Sequence, residues 1–150
     1  FKVKVLGRLK ENAEVRIVLR EIASIAPEDT DNLYTIARFA YNADDMSECI
    51  DALNKLLEID VDHTDGTNLL VRALIKKGDE TEALKILNRL TGIGKSNEKM
   101  LLQHARLLYR NEQWGGAMLL FKEIYDTHDS DEGADGLISS LIKYFFSTRP

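Results

Sequence analysis

One short sequence pattern occurs three times in this chain: turn-forming residues followed by the start of an apolar helix pattern. The copies are D-D-M-S-E-C-I at 44–50, G-D-E-T-E-A-L at 78–84 and E-Q-W-G-G-A-M at 112–118. Within them a small residue recurs every 34 positions, at Cys49, Ala83 and Ala117. A fixed period of this length is typical of chains that stack repeated structural units. The period predicts three contiguous repeats, at 30–63, 64–97 and 98–131.

The apolar residues inside each repeat follow helical spacing. In the first repeat they form one stripe at i, i+3, i+4 and i+7 from Leu33 to Ala40, and a second stripe from Cys49 to Leu57. Asn42–Asp45 separates the two stripes with residue types that favour turns, and Gly78-Asp79 does so in the second repeat. Each repeat is therefore predicted to be a pair of amphipathic helices, and the chain to be all-α.

These features resemble the tetratricopeptide repeat, a 34-residue unit with small residues at positions 8 and 20 and an aromatic or large residue at position 24. Ala37, Ala105, Ala83, Ala117 and Phe121 match that pattern. The chain departs from it with Val71 at position 8, with Cys49 at position 20 and with no proline at position 32. The resemblance implies a right-handed superhelical α-solenoid of antiparallel helix pairs.

The resemblance extends beyond the three repeats to almost the whole chain. Residues 1–29 resemble the end of an earlier repeat, and 132–146 supply one final helix. We therefore expect residues 1–150 to be a single domain. Because the sequence begins at Phe1 and not at Met, we interpret it as a fragment of a longer protein.

Composition restricts the classes of function that the chain can have. The net charge of −5, from 20 basic and 25 acidic residues, disfavours a general nucleic-acid binder. The sequence contains no apolar run of about 20 residues, the length of a membrane-spanning helix. The single cysteine does not define a redox compartment. We expect a cytoplasmic location, or a periplasmic one if the chain comes from an export system.

The stretch T-G-I-G-K-S at 91–96 ends like a phosphate-binding loop. Such a loop requires an earlier glycine, where this chain has Arg89, and a preceding buried strand, whereas this stretch follows a predicted helix. We interpret the glycines of this stretch instead as a helix stop, with a glycine just past the helix end as the left-handed cap.

No other motif indicates catalysis or a cofactor. His63, His104 and His128 are too far apart to form a helical metal pair, and His104 is expected to be a packed, hydrogen-bonded ring. The acidic stretch 126–136 lacks the glycine and the closing glutamate of a calcium loop, and Asp131 within it is expected to cap the final helix. Cys49 is expected to be an inert packing residue. The sequence predicts no enzyme, no metal site and no cofactor.

In the resembled family the first helix of each repeat lines a concave groove. The groove positions carry six basic and two acidic residues in this chain, and Arg38, Arg72 and Arg106 share position 9, with Lys4 in the same phase. The resemblance implies a peptide-binding groove formed by Arg38, Arg72, Arg106, Tyr34, Tyr41, Asn68, Lys76, Tyr109 and Arg110. The alternative is that acidic side chains of adjacent helices neutralise each arginine.

Three hypotheses of function follow from this pattern. The first is a non-catalytic scaffold whose groove binds a protein partner or an acidic, extended peptide. The second is a regulatory or substrate-guiding module of a multidomain enzyme, or of a secretion or polysaccharide-assembly system. The third is an RNA-binding array similar to pentatricopeptide repeats, which the 34-residue period and the acidic composition disfavour.

Two details of the pattern bear on the partner. A chaperone-tail partner is disfavoured, because the family's carboxylate clamp has asparagine at position 9, where this chain has arginine. Apolar residues near the two ends of the chain are expected to cap the domain, to stack on further repeats or to mediate self-association. They are Leu6, Leu9, Ile138, Leu141, Ile142, Phe145 and Phe146.

Overall fold

The computed structural model of the chain describes residues 2–94 and 97–148, with side chains from Ala13 onward. Every regular element in these residues is an α-helix, which confirms the predicted all-α fold. The helices are α1 (Lys2–Ile25), α2 (Thr30–Asn42), α3 (Met46–Ile59), α4 (Thr64–Lys77), α5 (Glu80–Gly92), α6 (Glu98–Arg110), α7 (Trp114–His128) and α8 (Asp131–Ser147). The predictions for Lys4, Leu6, Leu9, Lys95 and Ser96 lie outside the described side chains.

The helix boundaries repeat with the period of the sequence. The first helices of the three repeats begin at Thr30, Thr64 and Glu98, and the second helices begin at Met46, Glu80 and Trp114. Both series advance by one full repeat length at each step. In the first and third repeats the two helices, joined by so short a connection, pack as antiparallel neighbours.

The chain forms two compact units, which divide between Gly78 and Asp79. In the first unit α2 packs against α1, α3 and α4, and α3 also packs against α4. In the second unit α6 packs against α5, α7 and α8, and α7 also packs against α8. No helix in the described part of the chain is long and apolar enough to cross a membrane.

The turn between the paired helices has the same backbone conformation in every repeat. Asp44, Gly78 and Glu112, which occupy the same position in successive repeats, all have positive φ angles, of 64°, 96° and 59°. The next amide donates a hydrogen bond back to the preceding helix in the two outer repeats, from Asp45 to Ala40 and from Gln113 to Leu108, both at 2.9 Å. This is the Schellman arrangement, which satisfies carbonyl groups at a helix end.

The small residues that define the period are all fully buried. Each of the six has 0% of its surface exposed: Ala37, Cys49, Val71, Ala83, Ala105 and Ala117. In the second unit Ala105 and Ala117 belong to a cluster that also contains Leu101, Leu120 and Phe121. In the first and third repeats, small side chains at these positions let the paired helices approach closely, and the larger residues fill the surrounding space.

Helices α7 and α8 approach each other closely in the second unit, and two glycines make this possible. A Cβ atom on Gly133 would lie 2.8 Å from the backbone nitrogen of Tyr125, and one on Gly136 would overlap the ring of Phe121. Any larger residue at these positions would push the two helices apart. This glycine pair sets the position of α8 on its neighbour.

Ion pairs attach α1 to the rest of the first unit. Arg16 Nη2 lies 2.9 Å from Asp45 and 3.7 Å from Glu48, and Arg20 Nε lies 3.8 Å from Glu48. Asp45 also caps α3 by accepting a hydrogen bond from the Glu48 amide at 3.1 Å. Asp45 therefore both caps α3 and, through its ion pair with Arg16, holds α1 in place.

One local prediction was wrong. Ser130, and not Asp131, caps α8: its hydroxyl oxygen accepts a hydrogen bond from the Gly133 amide at 3.4 Å, and Asp131 lies in the first turn. The predicted helix stop is confirmed: Gly92 is the last residue of α5, and Gly94, just past the helix end, is left-handed with a φ angle of 67°.

Replacement by alanine is expected to have opposite effects on stability at the two glycines that flank α5, Gly78 before the helix and Gly92 at its end. Gly78→Ala forces a β-carbon into the left-handed region and is expected to lower the free energy of unfolding by about 1 kcal/mol. Gly92→Ala, whose new Cβ would meet no atom within 4 Å, is expected to leave it unchanged or raise it slightly, by up to about 0.5 kcal/mol. Urea unfolding followed by circular dichroism measures both. Equal effects of the two substitutions would contradict the left-handed turn at Gly78.

Candidate functional site

The first unit presents a surface of tyrosines and basic residues on α2 and α4. On α2, Tyr34, Arg38 and Tyr41 are spaced i, i+4 and i+7, which places them on one side of the helix. Arg72 of α4 reaches across to Tyr41 and donates a hydrogen bond from Nη2 to its hydroxyl at 3.4 Å. Lys76, one turn further along α4, also lies against Tyr41. We call Tyr34, Arg38, Tyr41, Arg72 and Lys76 the α2–α4 face.

Aromatic rings hold both arginines of the α2–α4 face. The guanidinium carbon of Arg72 lies 4.9 Å from the centre of the Tyr41 ring, and that of Arg38 lies 5.9 Å from the centre of the Tyr34 ring. A cation placed over a ring in this way gains about 0.5–1 kcal/mol at an exposed site and keeps its charge. Among the residues that the structure describes, no carboxylate pairs with either arginine.

The other two predicted site residues on α4 are already engaged or covered. Lys76 Nζ lies 2.7 Å from Asp44, and the hydrogen bond to that carboxylate raises the pKa of Lys76. Asn68 is 8% exposed, and its Oδ1 accepts no hydrogen bond from the described residues. Neither side chain presents a free polar group at the surface in the way that Arg38 and Arg72 do.

The second unit contains a cleft of about 520 Å³ between α6, α7 and α8. Arg106 and Arg110 of α6 line this α6–α8 cleft, and Glu132 and Asp135 of α8 line its other side. Tyr109 also lines it and packs edge-on against Trp114, with ring centres 5.0 Å apart. The cleft is therefore lined by basic, acidic and aromatic side chains.

Carboxylates neutralise both arginines of the α6–α8 cleft. Arg106 forms an ion pair with Glu132, and Arg110 Nη2 lies 2.6 Å from Glu80 Oε1. The second oxygen of Glu80 accepts a hydrogen bond from the Asn111 side chain at 2.9 Å. Arg38, Arg72 and Arg106 share position 9 of the repeat, yet among the described residues only Arg106 has an acidic partner.

The acidic partners of these cations were not identified from the sequence. Glu132 follows Arg106 by 26 residues, Glu80 precedes Arg110 by 30, and Asp44 precedes Lys76 by 32. These separations are all close to one repeat length, since each partner lies on or beside a helix of the neighbouring repeat. The sequence does show that these acidic residues lie at or next to the starts of helices. The repeat period alone, however, does not show which of them lies close enough in space to pair with a given basic residue.

Cys49 lies between packed helices and not at the surface. It is fully buried, and burial, followed by the nearby Asp45 carboxylate, raises its pKa to about 11. A thiol with so high a pKa is almost entirely protonated near neutral pH and is a poor nucleophile.

His104 is also buried, at a position where the other repeats have Ile36 and Leu70. Its Nδ1 lies 3.1 Å from the hydroxyl of Thr91, whereas its Nε2 has no hydrogen-bond partner in the described residues. Burial lowers the pKa of His104, because the charged ring would lose its hydration. The described residues contain no group of three or more His, Cys, Asp or Glu side chains that could hold a metal ion.

The chain is similar to solved structures of tetratricopeptide-repeat domains. It matches the Sgt2 TPR domain from Aspergillus fumigatus with a TM-score of 0.66 at 18% identity, over 81% of this chain and 82% of that one. It matches MamA residues 41 to the end from Desulfovibrio magneticus RS-1 with a TM-score of 0.69 at 14% identity, over 95% and 86% of the two chains. A thermophilic TPR protein of Thermus thermophilus gives 0.63 at 16% identity, over 93% and 77%.

These likenesses confirm the fold that the repeat period predicted. No protein-family model matches the chain, and no curated protein matches it in sequence. The relationship is therefore one of backbone architecture, shared over most of each chain.

Cys49 is expected to resist thiol reagents as long as the chain is folded. With 5,5′-dithiobis(2-nitrobenzoic acid) at pH 8, the native protein should release less than about 10% of one equivalent of thionitrobenzoate in minutes, because the thiol is buried and protonated. The same protein in denaturant should release one full equivalent, since the chain contains a single cysteine. Rapid stoichiometric reaction of the native protein would contradict the packing of α3.

Mild acid is expected to destabilise the fold through His104. The unfolded chain binds a proton near pH 6.5 and the folded chain only at lower pH, so the free energy of unfolding should fall as the pH drops below 6.5. One such group contributes a slope of at most about 1.4 kcal/mol per pH unit. Denaturant unfolding of the parent chain and of His104→Leu measures this slope between pH 7 and 5. An unchanged slope in the variant would rule out His104 as its source.

Proposed function

We propose that this chain, which has the fold of tetratricopeptide-repeat domains, is a non-catalytic protein-binding module. Its α2–α4 face receives an acidic, extended peptide segment of a partner protein. The observation that carries the proposal is the state of Arg38 and Arg72: each is positioned by a tyrosine ring and neither is neutralised by a carboxylate of the described residues.

A guanidinium group held over an aromatic ring is preorganised to bind a carboxylate. The ring occupies one flat side of the group, and most of the N–H donors at its edge remain available for a bidentate contact. Because the tyrosine restricts the side chain beforehand, less conformational entropy is lost when a ligand binds. An exposed arginine without such a ring would lose more freedom on binding the same carboxylate.

The two units differ in how readily they could accept an acidic ligand. In the α6–α8 cleft a ligand carboxylate would have to displace Glu132 from Arg106 or Glu80 from Arg110. On the α2–α4 face no such exchange is required at Arg38 or Arg72. The first unit is therefore the favoured site, and its two tyrosines would pack beside the peptide backbone.

The same face would also serve in a regulatory or substrate-guiding module of a larger enzyme or of an export assembly. In either setting the chain itself contributes binding and not turnover. Within the second unit, Tyr109, Arg106 and Arg110 of the α6–α8 cleft would form a separate contact region.

Substitution of Arg72 tests the α2–α4 face directly. A short, fluorescein-labelled, glutamate-rich peptide is titrated with the protein by fluorescence anisotropy at low and moderate salt. Because one charge-assisted contact is lost and a like charge introduced, Arg72→Glu should weaken binding at least about tenfold. Binding by the parent chain should also weaken as salt rises.

The control for net charge is Arg89→Glu. Arg89 is an exposed residue near the end of α5, so this variant changes the charge of the chain equally without altering the α2–α4 face. It should retain affinity within about twofold of the parent, since only the general field changes. An affinity indifferent to both salt and Arg72→Glu would refute the proposed site. Tighter binding of single-stranded RNA than of the peptide at moderate salt would favour the nucleic-acid hypothesis instead.

A further inference from the structure

The described residues of the α6–α8 cleft carry more negative than positive charge. Arg106 and Arg110 contribute the guanidinium groups. The carboxylates are those of Glu132 and Asp135, which line the cleft, and of Glu80, which contacts Arg110. Glu132 pairs with Arg106 and Glu80 with Arg110, whereas Asp135 has no ion-pair partner in the part of the chain that the structure describes. The uncompensated charge of the cleft is therefore negative.

This negative charge remains whichever ion pairs form. Glu132 and Asp135 are three residues apart on α8, so they lie within one helical turn of each other. If Arg106 moved from Glu132 to Asp135, Glu132 would become the unpaired carboxylate. Two guanidinium groups cannot neutralise three carboxylates, so a net negative charge stays in the cleft in every arrangement.

Two positive features near the cleft do not compensate Asp135. Lys143 lies two turns further along α8, where its Nζ is 5.9 Å from the centre of the Trp114 ring, and it does not line the cleft. The start of α8 at Asp131 carries the partial positive charge of a helix N-terminus. That field is weak beyond the first turn, and Asp135 lies in the second.

The surroundings of Asp135 suit a long basic side chain. Gly136 lies directly against the ring of Phe121, and because it has no side chain, the space between Asp135 and Ser139 stays open. The Asp135 carboxylate and the Ser139 hydroxyl can accept hydrogen bonds from N–H groups. Tyr109 also lines the cleft, and an aromatic ring stabilises a cation placed beside it.

The size and the chemistry of the cleft favour an arginine within a peptide. A volume of about 520 Å³ lies within the range of sites that hold a drug-sized ligand, so a side chain and part of its backbone can enter. A planar guanidinium can pack on a ring and donate two parallel hydrogen bonds to one carboxylate, which an ammonium group cannot do. The chain itself already uses the ring contact where Arg72 lies over Tyr41.

We propose that the α6–α8 cleft binds an arginine side chain from an extended segment of a partner protein. The guanidinium of that arginine pairs with the Asp135 carboxylate and packs beside the Tyr109 ring, while the ion pairs of Arg106 and Arg110 stay in place. The proposal rests on the proposed function only in taking the partner to be a protein. It does not require the α2–α4 face to bind an acidic peptide.

Matched peptides titrated into the ¹⁵N-labelled chain and followed by NMR test the proposal. Short peptides with blocked ends and a neutral sequence carry arginine, lysine, citrulline or glutamate at the central position. The arginine peptide should give saturable shifts of the amides of Asp135, Gly136 and Ser139. The citrulline peptide, which has the shape of arginine without its charge, should bind at least about tenfold more weakly, as should the glutamate peptide.

The same titrations contain the results that would overturn the proposal. A citrulline or glutamate peptide that binds as tightly as the arginine peptide would show that positive charge is not recognised. A lysine peptide that binds more tightly would overturn the assignment to arginine, and free arginine that binds equally well would overturn a peptide partner. Shifts at Arg38 and Arg72 report on the α2–α4 face separately, so failure of one site can be distinguished from failure of the other.

Substitution of Asp135 tests the carboxylate itself. Asp135→Asn removes its charge with almost no change of shape and should weaken binding of the arginine peptide about tenfold. The matched control is Glu123→Gln, which removes an exposed carboxylate of α7 that does not line the cleft and should keep the affinity within about twofold. Far-UV circular dichroism verifies that both variants are folded. Equal affinities of the two variants would contradict the site.

Substitution of Arg106 distinguishes this proposal from a cleft that binds acidic ligands. Arg106→Gln leaves both Glu132 and Asp135 without a cation, so the affinity for the arginine peptide should rise several-fold. A cleft that recognised carboxylates through Arg106 would instead lose affinity for the glutamate peptide and gain none for the arginine peptide. An unchanged or lower affinity of this variant for the arginine peptide overturns the proposal.

Discussion

The close approach of paired helices at small side chains is the interaction on which the rest of this structure depends. Cys49 and Ala37 in the first repeat, and Ala117 and Ala105 in the third, are completely buried. Each such position recurs once per repeat because the turn between the helices recurs with it, in a left-handed conformation at Asp44, Gly78 and Glu112. Once the spacing of turn and small residue is fixed, the lengths of the helices and the direction of their exposed sides follow.

This constraint leaves the exposed positions free to differ between repeats. Arg38, Arg72 and Arg106 have the same place in the repeat and therefore the same place on their helices. Their electrostatic environments nevertheless differ, since tyrosines hold the first two and Glu132 neutralises the third. A repeated scaffold thus supplies similar positions, and the non-repeated residues around each position decide what it can bind. Tyr41 is the clearest case, because it contacts two cations of α4.

Much of the fold could be predicted because apolar periodicity and turn chemistry are local properties of the chain. The six repeat helices begin in the predicted register, and the phosphate-loop interpretation of T-G-I-G-K-S fails because helix α5 leads into it. The wrong assignment concerns the start of α8, where Ser130 and Asp131 are both good caps and only the final backbone geometry selects one. The ion pairs of Arg16 with Asp45 and Glu48 were also missed, since the partners lie far apart in the sequence.

The sequence by itself determined the helical repeat, its period, the residues that are buried between helices and the side of each first helix that carries the basic residues. These features depend on contacts within one repeat, whose spacing can be counted along the chain. Only the tertiary structure decided which basic residues keep an uncompensated charge and which apolar side of α8 stays exposed. Both depend on what a neighbouring helix places opposite a given side chain, because electrostatic and packing energies depend on distance in space and not on separation in sequence.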